Sequence, residues 1–258
     1  MQLRLPSHLG ADASYKNIRA GVRVITEAWG EENLFCVGCA SRTLRRCPSN
    51  TAGVDFICPA CSNSYQLKSS AHPPARRIPD AAYWVMHRLI RTGNAPSLFA
   101  LHYSPYNWTV RNLLLIPSFA ISRSAILRRK PTWPKGRKRP WVGCDYALDR
   151  IPTDARIPVV AEGRILSVSR VRDQFERLQW VRRQRWYNRG WTMDVLRVVR
   201  ALGKREFTLS EMYSRAERLR QLHPENRHVE PKIRQQLQRL RDFGFLEFLS
   251  PGHYRLKS

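Results

Sequence analysis

Polar and apolar residues alternate in two short segments of the chain, residues 53–57 and 64–68. Alternation with a period of two is typical of a strand with one buried face. In the second segment Gln66 and Lys68 therefore lie on the same face of the strand. The two segments predict a β-hairpin, and if Asp55 faces the same way, its carboxylate meets both side chains.

Helical spacing of apolar residues occurs before and after this hairpin. It predicts a helix packed on the sheet over 15–29 and a basic linker helix within 164–190. The rest of the chain predicts three helices and then a hairpin, over 191–202, 208–222, 231–242 and 245–257. Thr208 and Glu211 have the T-x-x-E spacing of a capping box. Three helices with a terminal hairpin predict a winged-helix domain.

A length of 258 residues suits two domains, and we place them at 1–180 (α/β) and 181–258 (mainly helical). Lysine and arginine number 45 against 20 aspartates and glutamates, which gives a net charge of +25. A folded chain with this charge is expected to bind a polyanion, and nucleic acid is the leading candidate.

The apolar runs are shorter than the roughly 20 residues that a membrane span requires. The first residues do not resemble a secretory signal. We therefore expect a cytoplasmic protein with no membrane partner, and no sequence feature indicates an obligate protein partner.

Four of the six cysteines predict a zinc site. Cys36 and Cys39 form one C-x2-C pair, Cys58 and Cys61 form a second, and 18 residues separate the pairs. This is the spacing of four-thiolate zinc sites, and four protein ligands leave no coordination position for catalysis. We predict structural Zn2+, with a redox pair as the alternative, and we expect the other two cysteines to be buried thiols.

Asp55, Gln66 and Lys68 form a candidate catalytic group. Proteins bind Mg2+ through one or two carboxylates together with carbonyl oxygens, water and substrate phosphate, so Asp55, Gln66 and Leu67 are the candidate Mg2+ ligands. Lys68 would orient or deprotonate the attacking water and offset the charge that develops during phosphodiester cleavage. The D-x10-Q-x-K pattern is short, and a polar strand with a solvated lysine is the alternative.

The segment from Asp55 through the second cysteine pair to Gln66 and Lys68 resembles the catalytic core of the DpnI family of restriction endonucleases, which belong to the PD-(D/E)xK nucleases. The resemblance continues through 189–192, 207–213 and 232–242. It implies a restriction-endonuclease-like α/β core with an inserted four-cysteine zinc site, followed by a winged helix. It also implies a methyl-directed type II enzyme that cuts both DNA strands at GATC when the adenine carries an N6-methyl group.

One position departs from the family motif, because Gln66 stands where the family has a glutamate. The change lowers the charge at the predicted metal by one, although the amide oxygen can still coordinate. Glu27 on the first helix is a candidate to restore a carboxylate, and a solvated Glu27 is the alternative. The substitution also supports a competing hypothesis, a zinc-containing winged-helix DNA-binding regulator with a decayed nuclease site. An RNA-binding factor is disfavoured, because a winged helix suits duplex major grooves.

Two basic segments are candidates for contact with double-stranded, adenine-methylated DNA. Residues 122–144 contain eight lysines and arginines and no acidic residue. This composition predicts an arm that contacts phosphates, and a solvated loop is the alternative. The family resemblance assigns methyladenine sensing to Arg129 and Trp141, although a Trp141 buried under the arm is equally compatible. In the last helix, the candidates for DNA contact are Lys232, Arg234, Gln235, Gln236, Gln238 and Arg239.

Overall fold

The computed structural model describes residues 1–10, 18–48, 51–73, 76–133, 136 and 139–257. Seven strands form the main sheet, and their spatial order is β1 (Arg45–Arg46), β2 (Phe56–Ile57), β3 (Ser64–Ser70), β5 (Ser97–Ser104), β6 (Thr109–Ile116), β9 (Ile157–Ala161) and β10 (Arg164–Ile165). Neighbouring strands are antiparallel except for β3 and β5, which run parallel. The predicted hairpin is present as the antiparallel pair of β2 and β3.

A second sheet follows β3 in the chain. Its spatial order is β4 (Arg77–Ala82), β8 (Gly143–Ala147) and β7 (Ile126–Arg128), and both pairs are antiparallel. Residues 129–142, which we call the basic arm, connect β7 to β8. A bridge between Thr132 and Trp141 extends this pair into the arm. The small sheet therefore carries the basic arm at one end of its strands.

Helix α1 (Ile18–Asn33) packs on the main sheet through buried Ile25 and Trp29. The helical spacing of Ile18, Val22, Ile25 and Trp29 predicts one buried stripe. It is correct for Ile25 and Trp29 but wrong for Ile18, which is 86% exposed. The helix also continues four residues past the predicted end, while residues 15–17 lie outside the described part of the chain. Helix α2 (Tyr83–Thr92) lies in the crossover that joins the parallel strands β3 and β5.

Helix α3 (Val168–Leu178) confirms the predicted linker helix. The Ser167 side chain accepts a hydrogen bond from the backbone N–H of Arg170, which caps the first turn. Val171, Phe175 and Leu178 are buried on one face, as their spacing predicts.

The C-terminal part begins with helix α4 (Trp186–Ala201) and contains four further elements of the winged-helix pattern. They are the helices α5 (Leu209–Tyr213), α6 (Ala216–Leu222) and α7 (Val229–Asp242), and a sheet of β11 (Glu206–Thr208), which precedes α5 in the chain, with β12 (Leu246–Ser250) and β13 (His253–Leu256). The capping box is confirmed, because Thr208 Oγ1 accepts from the Glu211 N–H and the Glu211 carboxylate accepts from the Thr208 N–H. The segment predicted as one helix over 208–222 forms two short helices instead.

Helix α4 differs from the amphipathic helix predicted over 191–202. It starts five residues earlier, so that Gly190 lies inside it, and every residue from Gly190 to Val199 is buried. The reason is its position, because α4 packs against α2 of the first part and against α7 of the second. A helix that is covered on both sides has no solvent-exposed face, so its sequence lacks the separate polar stripe of an amphipathic helix.

Among the described helices, none combines the length and the apolar character that a membrane crossing requires. Of the two cysteines outside the C-x2-C pairs, Cys144 is buried as expected, whereas Cys47 is only half-buried.

Candidate active site and metal centre

The four cysteines of the two C-x2-C pairs meet at one point. All four sulfur atoms lie within 4.8 Å of one another, and the Cys36–Cys61 and Cys39–Cys58 sulfur pairs are 3.5 and 3.6 Å apart. Zinc–sulfur bonds of about 2.3 Å in a tetrahedron place the sulfurs about 3.8 Å apart. The described donor set therefore fits a closed, structural zinc site.

The thiols of this cluster differ in their pKa when no cation is bound. Burial works against ionisation of Cys58, but the backbone N–H groups of Cys61 and Ala60 and the neighbouring thiols outweigh it and lower the Cys58 pKa to about 6. Burial and the nearby sulfurs raise the pKa of Cys61 to about 12. Without a cation the cluster therefore holds a thiolate and protonated thiols together, and a zinc ion would ionise the remainder.

The cysteine cluster is attached to the hairpin and to the linker helix. The Tyr65 hydroxyl of β3 lies 3.1 Å from the Cys36 sulfur and accepts the Val37 N–H. The Arg172 guanidinium of α3 donates to the carbonyl groups of Cys36 and Ser41, at 3.0 and 2.9 Å. The metal centre thereby fixes the position of β3, on which the candidate catalytic residues lie.

Asp55, Gln66 and Lys68 all line one cavity of about 650 Å³ between α1 and the hairpin. Asp55 directly precedes β2, and its N–H donates to the Tyr65 carbonyl at 2.9 Å. One carboxylate oxygen of Asp55 accepts the Leu67 N–H at 2.8 Å. The hairpin register therefore places the Asp55 carboxylate beside the backbone of the Gln66–Lys68 segment, as the alternation predicts.

Positive side chains surround the Asp55 carboxylate. Arg19 and Arg23 of α1 line the cavity together with Lys68, and an Arg23 nitrogen lies 3.9 Å from Asp55. Burial raises the pKa of the Asp55 carboxyl, and the Leu67 N–H and the Lys68 charge offset this only in part. A divalent cation at this carboxylate would favour its ionised form.

The Gln66 side chain is 2% exposed and is held from two directions. Its Nε2 donates to the Asp80 carboxylate at 2.9 Å, and its Oε1 accepts from the Tyr146 hydroxyl at 2.8 Å. Lys68 Nζ lies 2.7 Å from the same Asp80 oxygen.

Asp80 and Tyr146 are the site residues that the sequence analysis missed. They lie on β4 and β8 of the small sheet, 14 and 80 residues from Gln66, and no spacing relates them to the motif. In the sequence, Asp80 is marked only by the aromatic residues that follow it at the start of α2, and this pattern is too common to identify a site residue.

Glu27 faces the same cavity and is buried, which excludes the solvated alternative. Arg23 forms an ion pair with one of its carboxylate oxygens, and an Arg46 nitrogen lies 2.7 Å from the other. Its charge also raises the pKa of Asp55. Glu27 therefore contributes a second carboxylate to the cavity wall, already paired with two arginines.

On α7, five of the six predicted DNA-contacting residues fall into two groups, one exposed and one held by hydrogen bonds to other side chains. Arg234, Gln235 and Gln238 are exposed. Lys232 Nζ donates to Asn188 at 2.9 Å, and Arg239 donates to Gln184 at 2.8 Å.

Gln236 is in neither group, and its predicted contact with DNA is wrong for the described structure. Its side chain is fully buried and accepts the Thr192 hydroxyl of α4 at 2.7 Å. Gln236 follows buried Ile233 by three positions, so it lies on the inner face of the helix. It joins α7 to α4 and is not presented to a groove.

The basic arm holds Arg129 and Trp141 at its base. Arg129 is partly exposed and lies 3.7 Å from Asp145, and its N–H donates to the Gly143 carbonyl. The half-buried Trp141 ring covers Gly143, where a Cβ atom would come within 2.5 Å of the ring. Trp141 is thus neither fully exposed nor fully buried. Four of the arm's residues, 134–135 and 137–138, lie outside the described part.

Next to the arm, Trp84 of α2 is 61% exposed. The Arg128 guanidinium lies 5.7 Å from the centre of its ring, a cation–π distance. Exposed aromatic and basic side chains side by side are typical of surfaces that contact nucleic acid.

A cavity lined by an acid at the start of β2 and by an amide and a lysine on β3, in a chain that also has a winged-helix domain, defines a DNA-acting protein with the site arrangement of a nuclease. Residues 1–184 match DpnI, described as the Dam-replacing family, and residues 187–256 match the Dam-replacing HTH domain. The chain therefore belongs to the DpnI family. This confirms the resemblance drawn from the sequence, and membership implies a DNA nuclease with a helix-turn-helix domain.

Proposed function

We propose that this protein is a methylation-dependent endonuclease that hydrolyses both strands of DNA at GATC sites carrying N6-methyladenine, with Mg2+ at the hairpin cavity and Zn2+ at the four cysteines. The observation that carries the proposal is the convergence of Asp55, Gln66 and Lys68 on one cavity in a chain of the DpnI family. The specificity for methylated GATC rests on that family relationship.

The residues of the cavity suit a hard cation. The Asp55 carboxylate would provide the charge, and the Leu67 carbonyl leaves β3 on the same edge as the N–H that binds Asp55. Gln66 Oε1 retains a second lone pair beside the one used by Tyr146. A bound Mg2+ ion polarises the scissile phosphate and makes a coordinated water more acidic.

The charged side chains around the cavity support the remaining steps. Lys68 would offset the negative charge that builds on the phosphate during attack. Arg19 and Arg23 on the opposite wall would hold the phosphates of the bound strand. Protein cations thus lie on both sides of the position where the scissile group would sit.

Sequence recognition would use both parts of the molecule. The exposed Arg234, Gln235 and Gln238 of α7 have the donors and acceptors that read guanine and adenine edges. Trp141 would offer an apolar edge to a methyl group, as apolar side chains read the methyl group of thymine. The arm and Arg128 would contact phosphates.

The first test compares plasmid DNA with and without adenine methylation at GATC, incubated with the zinc-loaded protein and Mg2+. We expect double-strand cleavage of the methylated plasmid only. Asp55→Ala should lower this cleavage by about a hundredfold or more, because the cavity loses the carboxylate for its cation. Zinc content and DNA affinity measured by gel shift should stay near those of the wild type.

Two outcomes would contradict the proposal. Retained cleavage by the Asp55→Ala protein would show that this cavity is not the active site. Binding of methylated DNA without cleavage, across Mg2+, Mn2+ and Co2+, would favour the regulator with a decayed nuclease site, to which the substitution at Gln66 points.

A further inference from the structure

Asp80 lies outside the motif but contacts two of its three residues. One of its carboxylate oxygens is 2.7 Å from Lys68 Nζ and 2.9 Å from Gln66 Nε2, and the side chain has no exposed surface. A buried carboxylate is costly unless a charged or hydrogen-bonded partner compensates it. Lys68 and Gln66 are those partners, so the three side chains form one unit.

Asp80 also determines which way the Gln66 amide points. A carboxylate only accepts hydrogen bonds, so the amide nitrogen must face Asp80. The amide oxygen is then left for the Tyr146 hydroxyl. A tyrosine hydroxyl can donate to this oxygen, whereas the amide nitrogen could not accept from it. The amide is thereby fixed in one orientation.

The charge of this unit explains the glutamine. A glutamate at position 66 would place a second carboxylate within hydrogen-bond distance of Asp80, with Lys68 alone between them. Glutamine replaces that repulsion by a hydrogen bond. The cluster of Asp55, Asp80 and Lys68 keeps the same net charge, −1, as an aspartate, glutamate and lysine motif would have. In this chain the second negative charge lies on β4 of the small sheet and not at position 66 of β3.

We propose that Asp80 is a positioning residue of the nuclease centre: it holds the Lys68 ammonium and the Gln66 amide in place and supplies, from β4, the charge that the motif lacks at position 66. The inference rests on the proposed function. On this inference Gln66 is not a random loss of the family's glutamate, because the Asp80 carboxylate requires a hydrogen-bond donor at position 66.

The test is a double-mutant cycle between Asp80→Asn and Gln66→Glu. Asp80→Asn should lower kcat for methylated plasmid by roughly 10- to 100-fold, the usual effect of losing a partner that orients ligands, while KM stays near the wild-type value. Gln66→Glu should also lower kcat, because two carboxylates then face each other. The double variant exchanges the amide and the carboxylate, and we expect it to recover most of the lost rate.

A second readout does not depend on cleavage. Mn2+ serves as a probe of the Mg2+ site, and electron paramagnetic resonance measures its binding to the zinc-loaded protein. Asp80→Asn should weaken Mn2+ binding, and the double variant should restore it. If the wild type cleaves no substrate, the proposed nuclease fails while this arm still decides the role of Asp80.

The control is Asp154→Asn, which removes a different carboxylate, largely buried, paired with Arg200 and lining a different cavity. In the Asp154→Asn/Gln66→Glu protein, the fold-changes in kcat of the two single variants should multiply. The proposal is overturned if Asp80→Asn leaves kcat and Mn2+ binding within twofold of the wild type, or if the double variant is as poor as the product of the single ones. If Asp80→Asn does not fold, Gln66→Glu decides alone, since a kcat above the wild-type value contradicts the pairing.

Discussion

Asp194 is a single side chain that links the two parts of the molecule. Its fully buried carboxylate on α4 accepts the Ser124 hydroxyl at 2.8 and 3.0 Å and lies 2.9 Å from His223 Nε2. The Arg197 guanidinium lies 3.8 Å away, at the distance of an ion pair without a hydrogen bond. Ser124 belongs to the first part of the chain, so the carboxylate fixes how α4 sits against it.

Replacing this carboxylate should destabilise the protein strongly. Asp194→Ala leaves the buried Arg197 without its counter-charge, and we expect the free energy of unfolding to fall by about 3–5 kcal/mol. Urea denaturation followed by tryptophan fluorescence measures this change. Ser124→Ala removes a hydroxyl that bonds to this carboxylate and to the Ser122 hydroxyl but removes no charge, and it should cost less, about 1–2 kcal/mol. Equal small effects for both variants would show that the carboxylate does not support the junction.

At this scale the sequence predicts residues whose partners are close along the chain. Asp55, Gln66 and Lys68 could be grouped because one hairpin sets their spacing. Asp80 could not, because only the folding of a separate sheet brings it to Lys68. Gln236 was within reach of prediction, since a position three residues after Ile233 lies on the buried stripe, but its polar side chain suggested the surface.

Among the elements, the β2–β3 hairpin depends most on a bound metal. Its strand β2 has only two residues, and its connection carries two of the four cysteines. A two-stranded hairpin is marginal in water by itself, whereas zinc binding by such clusters is worth roughly 10–16 kcal/mol. The metal centre, more than the strand pairing, should therefore keep Asp55 opposite Leu67.

Removing one ligand tests this dependence. Cys58→Ser should reduce bound zinc from about one ion per chain to none, and hydrogen exchange of the 53–68 amides should become fast because the hairpin opens. Zinc is measured by mass spectrometry of the metal. Cys47→Ser is the control, since this half-buried thiol lies outside the cluster. Full zinc retention in the Cys58→Ser protein would contradict the four-thiolate site.

The elements also show where periodicity is a reliable guide. It predicts α3 and α7, each of which has one buried and one exposed face. It also predicts the hairpin, although in β3 Gln66 is buried as well as Tyr65 and Leu67. It gives the wrong limits for α4, because burial on all sides removes the polar face that marks a helix boundary. It joins α5 and α6, because their apolar spacing continues across the short break between them.

For the whole molecule, the excess of 25 positive charges sets the strength of DNA binding. Each phosphate contact releases counterions, so the logarithm of affinity falls by about 0.9 per contact for each unit of log salt concentration. A salt-dependent affinity for DNA follows from the net charge of the whole molecule, so composition alone predicts it. Which basic residues contribute depends on where the fold places them.

Replacing Arg128, which lies beside Trp84, together with the exposed Lys130 of the basic arm tests that placement. The Arg128→Ala/Lys130→Ala protein should show a salt slope reduced by up to about 1.8, because two phosphate contacts are lost. Fluorescence anisotropy with duplex DNA over a range of NaCl concentrations gives the slope. Arg164→Ala removes an exposed charge from β10, at the far edge of the main sheet, and should leave the slope unchanged. The reverse pattern would place the DNA on another surface.

The small sheet has a consequence for how this chain tolerates insertions and deletions. Strand β8 pairs Cys144 with Asp80 and carries Tyr146, while its other neighbour, β7, leads into the basic arm. A residue gained or lost between Thr132 and Trp141 leaves the register of β7 and β8 unchanged. The same change inside β8 would turn Tyr146 to the opposite face and release Gln66. Chimaeras that exchange the arm between relatives should therefore have their junctions between Thr132 and Trp141 and leave both strands intact.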